Sequence, residues 1–166
     1  DDAARQMFES LWGKTLSKEP GLRIPNMLDE ALDGAFKGLY VQGEDIAQSD
    51  PNTKHVTAGL SAMECVIVHD LFLNETAKYA HVFFPGSSFL EKDGTFTNAE
   101  RRINRVRKVM APRAGLADWE VVIGFAKALG VELHYNHPSQ IMDEIAHLTP
   151  TFAGVSYQKL DDTGSV

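Results

Sequence analysis

Residues 36–51 read FKGLYVQGEDIAQSDP, an apolar run at Leu39, Tyr40 and Val41 that breaks at once into Gly43-Glu44-Asp45 and then Gln48-Ser49-Asp50-Pro51. A β-branched and aromatic run ended by glycine and acids is the pattern of a buried strand that delivers polar groups at its carboxyl end. In an open parallel sheet that end is where ligands sit, because the crossover connections leave a crevice there. Taken alone, the same residues also satisfy an ordinary turn. The decision rests on whether the pattern recurs.

It recurs twice. Ser49 or Asp50 is placed to cap, and Pro51 to open, a helix whose Val56, Leu60 and Met63 face a sheet; Cys65-Val66-Ile67-Val68 then forms a second run that closes in His69-Asp70. Strand, helix and strand within about thirty residues is the parallel crossover unit. Asn74 can cap a short helix through Tyr79, and His81-Val82-Phe83-Phe84 is a third run, ending in Pro85-Gly86-Ser87-Ser88. If the three strands are parallel, their ends line one crevice. The expected fold is α/β: a three-layer, Rossmann-like domain with a short, mainly parallel sheet of Leu39–Val41, Cys65–Val68 and Val82–Phe84 flanked by helices.

Outside this block, Met7, Phe8, Leu11 and Trp12 share one face of a helix, and Pro25 suits the first turn of another that carries Met27, Leu28, Ala31 and Leu32 and stops near Gly34. Glu91 to Asn98 reads as a loop. Of the nine residues from Glu100 to Lys108 five are basic, which fits a solvated strand or loop, or a clasp for a phosphate or an acidic neighbour. Asp118 is the natural N-cap of a helix through Trp119, Val121, Val122, Phe125, Ala126 and Leu129, closed by Gly130. His134 and His137 have a spacing that suits a metal, but no third ligand stands near them, so a loop leading into the helix after Pro138 is expected. That helix carries Ile141, Met142, Ile145 and Leu148. The tail is polar except for Val155, Tyr157 and Leu160.

With 166 residues and 43% hydrophobic content, one domain over residues 1–166 is expected. A net charge of −7 excludes a general nucleic-acid binder, which needs a basic footprint. Cys65, the single cysteine, excludes an internal disulfide and any Cys-x-x-Cys site, and its place in an apolar run implies a buried, inert thiol. No run approaches the roughly 18 apolar residues of a membrane span, and nothing resembles a signal peptide. A cytoplasmic protein is expected, and the start at Asp1 without a methionine implies a processed or excised piece.

Three stretches carry a resemblance over nearly the whole chain: LYVQGEDIAQSDP from Leu39, VIVHDLFLNETAKYAHVFFPGSSFLEKDGTFTNAERR from Val66, and ADWE from Ala117 continuing into HYNHPSQIMDEIAHLTP from His134. The sequence resembles the molybdopterin oxidoreductases, specifically the catalytic alpha subunit of molybdenum-dependent formate dehydrogenases. The resemblance implies a domain that holds one of the two molybdopterin guanine dinucleotides chelating the metal. Its implied contacts are Gly43, Glu44, Asp45 and Ser49 at the first strand end, His69 and Asp70 at the second, Gly86 at the third, and Asp118 at the helix start. The family often has Gln where this chain has His69. In such subunits the cysteine or selenocysteine ligand to molybdenum, the catalytic histidine and the iron–sulfur motif lie upstream, so no catalytic or metal-binding residue is assigned here. The implied partners are the remaining domains of the catalytic subunit and electron-transfer subunits, and the implied parent oxidises formate to carbon dioxide. Three alternatives stay open: the same domain of a nitrate reductase-like molybdoenzyme; a structural relic like the large iron–sulfur subunit of respiratory NADH dehydrogenases, against which Asp45, Asp70 and Asp118 argue; and a purely structural domain that docks a partner through Arg101 to Lys108.

The implied ligand also divides the contacts by chemistry. Carboxylates repel a pyrophosphate but accept from the N–H groups of guanine and the hydroxyls of ribose, so Asp118 is expected at the base and Asp70 at the ribose or base. Phosphates are expected at backbone amides near Gly43 and Gly86 and at the hydroxyl of Ser49 or Ser87. Arg101 and Arg102 are expected to face a neighbouring domain or the cofactor, with Arg105, Arg107 and Lys108 solvated.

Overall fold

The computed structural model describes every residue from Asp1 to Val166. Seven helices and five strands follow in the order α1 (Asp2–Trp12), α2 (Ile24–Leu32), β1 (Gly38–Gln42), α3 (Ile46–Ser49), α4 (Thr53–Ala62), β2 (Cys65–Asp70), β3 (Val82–Pro85), β4 (Gly94–Thr97), β5 (Ile103–Val106), α5 (Asp118–Ala128), α6 (Pro138–Leu148) and α7 (Tyr157–Thr163), with a 3₁₀ turn at Thr76–Tyr79 between β2 and β3. They fall into two compact units: Gly21–Ser88 with Ala111–Val121, and Asp1–Pro20 with Phe89–Met110 and Val122–Val166.

In the unit built on Gly21–Ser88, β1, β2 and β3 form one sheet in that order, and both pairings are parallel. Leu39 stands opposite Val66, Val41 opposite Val68, and Val68 opposite Phe83. The three sequence runs are therefore the strands expected of them. Side chains alternate across a strand, and Val41, Val66 and Val68 join Leu28 and Ala31 of α2 and Val56 and Leu60 of α4 in one buried cluster. Leu60 is fully buried, so Leu60→Ala should cost on the order of 2–5 kcal/mol. The same alternation turns Cys65 outward: because Val66 is buried, its neighbour emerges on the opposite face, and the thiol is exposed where a buried one was expected.

The crossover also starts later than the sequence implied. The amide of Ala47 donates to the hydroxyl of Thr76 at 3.0 Å, which holds Ile46–Ser49 as a separate turn. Asp50 then accepts from the amide of Asn52, and the Asn52 side chain, not Ser49 or Asp50, caps α4 by accepting from His55 N.

In the other unit, residues 94–97 are a strand and not a loop. Glycine and charges dominate residues 91–94 and hide the β-prone Thr95-Phe96-Thr97, which pairs antiparallel with β5. Asn98 makes the turn, its side-chain oxygen accepting from the amides of Glu100 and Arg102. Ile103, Met142, Val155, Tyr157 and Leu160 form the core, so the three apolar residues of the tail are its anchors, and α7 starts on a Ser156 cap. His137 caps α6, accepting from Ser139 N, which gives that histidine a structural role. Arg105 is not solvated: its side chain is 9% exposed, its guanidinium lies 3.7 Å over the Tyr157 ring, and it pairs with Asp161 and Asp93. No helix is long and apolar enough to cross a membrane.

Candidate cofactor site

The three parallel strands bring Gly43, His69, Asp70 and Gly86 to one edge of the sheet, and hydrogen bonds continue past the last paired residues. Gly43 N donates to His69 O at 2.9 Å, and Gly86 N donates to Asp70 O at 2.8 Å. Gly43 has φ +65 with open space where a Cβ would stand, so glycine there answers to the backbone turn. Gly86 differs. A Cβ on it would meet the carbonyl carbon of Asp70 at 3.1 Å, its oxygen at 3.2 Å and Leu71 N at 3.3 Å, so glycine there answers to the close passage of β3 by β2. Both amides expected to meet phosphate are engaged in extending the sheet. The residues come to the edge as expected; their N–H groups do not face outward as expected.

Most of the acids are also engaged. Asp45 Oδ1 accepts from the amide of Thr76 at 2.9 Å and its hydroxyl at 2.7 Å, and Oδ2 accepts from Glu75 N, so Asp45 caps the 3₁₀ turn. Desolvation pushes this carboxyl up, but the Thr76 hydroxyl, the two amides and the nearby Lys78 together hold it below the ordinary aspartate value. Asp70 accepts from Leu71 N and from the Asn74 side-chain amide, while Asn74 in turn accepts from Ala77 N. Asn74 thus anchors the short helix as its sequence position implied. Glu44, at the surface, accepts the Ser49 hydroxyl at 2.7 Å.

A second polar cluster at this edge joins the buried His69 and Ser87 to the half-buried Tyr40 and Asp118. His69 is 1% exposed. It belongs to the sheet face opposite Val66 and Val68, as does Tyr40 on β1, whose hydroxyl lies 2.7 Å from His69 Nδ1. Phe84 of β3 approaches the same ring edge-on. On the other side, His69 Nε2 lies 3.2 Å from Asp118 Oδ1, near enough for electrostatic attraction but out of line for a hydrogen bond, so this buried nitrogen has no hydrogen-bond partner. Burial, then the Asp118 carboxylate, pushes the Tyr40 phenol above its ordinary value.

Asp118 is the first residue of α5 and not its cap. The first turn closes on the carbonyl of Ala117, which accepts from Glu120 N and Val121 N, while Glu120 reaches back to Ala117 N. This frees the Asp118 side chain from capping, and it turns to Ser87: Oδ1 accepts from Ser87 N at 2.7 Å and from Ser87 Oγ at 3.0 Å. The carboxylate remains 19% exposed. Such a group can accept hydrogen bonds from a ligand while its orientation is fixed from behind.

Tyr40 was not singled out in the sequence, because it reads as one more apolar residue of a strand. Its signal was the alternation itself, since Leu39 and Val41 on the core face put Tyr40 with His69. A cleft of about 930 Å³ lies within the other unit, bordered by Leu11, Trp12, Val131 and Tyr135. Of its two acids, Glu132 and Glu144, the latter is gripped by both Trp12 Nε1 and the Tyr135 hydroxyl, which favours a structural role for it.

Comparison with known proteins gives the family of the chain. Residues 3–128 match the family model described as Molybdopterin oxidoreductase. The chain is 41% identical over 167 aligned residues to "Probable oxidoreductase YjgC" of Bacillus subtilis (strain 168), and 42% identical over 167 residues to "Putative formate dehydrogenase YrhE" of the same strain. These matches cover 100% and 99% of this chain and 17% of each relative, so the chain spans about a sixth of their length. Among solved structures, acetylene hydratase from Pelobacter acetylenicus matches with a TM-score of 0.69 at 17% identity, covering 98% of this chain and 23% of that one, a likeness of fold. The chain belongs to the molybdopterin oxidoreductase family.

Proposed function

We propose that this chain is the part of a molybdenum-dependent formate dehydrogenase that holds a molybdopterin guanine dinucleotide, with residues 1–166 acting as one cofactor-binding portion. The observation that carries the reading is the meeting of three parallel strand ends with Asp118 at the start of α5, around a buried histidine nitrogen that has no hydrogen-bond partner.

The donor and acceptor chemistry fits the nucleoside end of that cofactor. Guanine presents N–H donors and ribose presents hydroxyls, and a partly exposed carboxylate held from behind by Ser87 matches them. We assign Asp118 to the base, and Asp70 and Glu44 to the ribose side. The pyrophosphate is assigned to none of the Gly43, Gly86 or Ser87 amides, because each already donates within the protein. When bound, the cofactor supplies the metal centre at which formate gives up two electrons and a proton as it becomes carbon dioxide. This chain's residues bind and orient it. Leu71, Phe72 and Leu73, directly after β2, are 48%, 75% and 80% exposed, and this run of apolar side chains supports docking of the remaining domains of the subunit.

The test uses the full polypeptide that carries this chain, purified with its cofactor and assayed with formate and a dye acceptor, then with nitrate and a reduced dye. Formate-dependent dye reduction supports the reading. Activity with nitrate alone would transfer the chain to a nitrate reductase-like parent. Residues 1–166 alone, with cofactor added, should give no turnover above a buffer control, since neither a metal ligand nor an electron exit is assigned to them.

A further inference from the structure

We propose that the tip of the β4–β5 hairpin is a docking point, where Arg101 receives a carboxylate from the remaining domains of the same polypeptide. The basic run from Arg101 to Lys108 left open a solvated stretch or a clasp for an acidic neighbour, and the fold sorts its members. Arg102 Nε donates to Ser165 Oγ at 3.0 Å, and Arg105 and Arg107 both pair with Asp161. Arg101 is exposed, and its guanidinium makes no hydrogen bond or ion pair within the chain. The inference rests on the proposed function only in taking this chain as part of a longer polypeptide, which its 17% share of its relatives supports.

The backbone singles out the same residue. Asn98 N donates to Arg102 O at 3.0 Å and Arg101 N donates to Asn98 O at 2.9 Å, so residues 99–101 are a three-residue hairpin loop. The last residue of such a loop stands in the left-handed region, where glycine is the usual occupant and a larger side chain is strained. Here that residue is Arg101, with φ +62, and no other residue besides glycine has a positive φ in this chain. Glycine would serve the turn better, so the turn does not account for the arginine. Strain of this kind persists chiefly at ligand clamps, switches and active sites. A guanidinium offers a planar fork of donors that matches an oxyanion, either carboxylate or phosphate. Phe96 favours a protein surface: it lies on the same hairpin, next to the closing Thr97–Ile103 pair, and is 53% exposed. An exposed aromatic ring with an arginine is the composition of a protein–protein contact. A phosphate has no use for the ring.

The tests use the full polypeptide, purified without other subunits. Labelling with an arginine-directed dicarbonyl reagent, read peptide by peptide, should modify Arg101 several-fold more slowly in the native protein than in urea; equal rates would overturn the inference. Hydrogen exchange over residues 94–106 then tests the cause by its sign. Arg101→Ala keeps the left-handed strain and removes the guanidinium, while Arg101→Gly removes both. A docked Arg101 predicts several-fold faster exchange than the parent in both variants, with alanine the faster of the two. A solvated Arg101 predicts that glycine steadies the turn, so exchange in Arg101→Gly as slow as in the parent, or slower, would overturn the docking. The guanine nucleotide that acid releases per polypeptide separates the two oxyanions. Unchanged nucleotide in both variants supports a protein carboxylate, whereas its loss would hand the guanidinium to a phosphate of the cofactor and overturn the reading. Failure of the cofactor assignment itself would show instead in Asp118→Asn, which should leave exchange over residues 94–106 as it is in the parent.

Discussion

Ser87 and Asp118, 31 residues apart in sequence, hold each other through three hydrogen bonds: Ser87 N and Ser87 Oγ donate to Asp118 Oδ1, and Asp118 N donates to Ser87 Oγ. Ser87 is 3% exposed, so no water readily replaces its hydroxyl. Ser87→Ala removes two of the three bonds and leaves a backbone amide short of an acceptor, which should cost about 1–3 kcal/mol. Urea unfolding should show a lower midpoint at unchanged slope. An unchanged midpoint would mean that the contact contributes nothing.

Asp45 makes stability depend on acid. Its folded carboxyl titrates below the ordinary 3.8, although desolvation pulls the other way, because Thr76 and Glu75 donate to the charged form. A depressed carboxyl contributes stability that is present above its unfolded value and lost as pH falls through the folded one. Asp45→Asn also places donors of its own before Glu75 N. The gap in melting temperature between parent and variant should be steady above about pH 5 and should close below about pH 4, the window set by an unfolded carboxyl. A gap that persists undiminished at pH 3 would reject the charged cap.

The two glycines of the site should respond differently to alanine. At Gly86 the new Cβ meets backbone atoms at 3.1–3.3 Å, which cannot swing aside, so overpacking should cost roughly 1–3 kcal/mol and loosen β3 from β2. At Gly43 there is open space but φ is +65, so the cost is conformational, about 1–2 kcal/mol. Amide hydrogen exchange distinguishes them. Gly86→Ala should speed exchange at Gly86 and along the β2–β3 pairing, and Gly43→Ala should leave that pairing protected.

Arg105 and Arg107 both reach Asp161, yet only Arg105 is buried and stacked on Tyr157. Arg105→Ala should therefore destabilise by on the order of 2 kcal/mol, the scale of a desolvated cation–π contact. Arg107, 59% exposed, should cost under about 1 kcal/mol. Thermal melts of the two variants check the order, and equal shifts would contradict it.

The parallel sheet was legible because each strand is a short apolar run closed by glycine or acid, and the crossover helix showed Val56, Leu60 and Met63 at helical spacing. Gly43, His69, Asp70, Gly86 and Asp118 were legible as residues at strand ends and at the start of α5. Their partners were not. Whether an amide at Gly86 faces a ligand or the carbonyl of Asp70 depends on strand register, and whether Asp118 caps its helix or turns to Ser87 depends on a contact 31 residues away. Thr95-Phe96-Thr97 was hidden by its glycine and charged flank, and α7 by the sparse spacing of Val155, Tyr157 and Leu160. Arg105 was lost in a basic run whose members differ only in which strand face they occupy.

Asp118 is the residue proposed to receive the guanine end of the cofactor. Asp118→Asn keeps an oxygen for Ser87 and so should melt close to the parent, but it places an amide donor where guanine also donates. Loss of one charge-assisted hydrogen bond is worth about 1.5–3 kcal/mol, roughly ten- to a hundredfold in affinity. The direct measurement is guanine nucleotide released by acid per molecule of the purified full polypeptide, beside its melting temperature. A variant that melts like the parent and carries much less nucleotide is the predicted result; one that melts like the parent and carries the full complement would contradict the account.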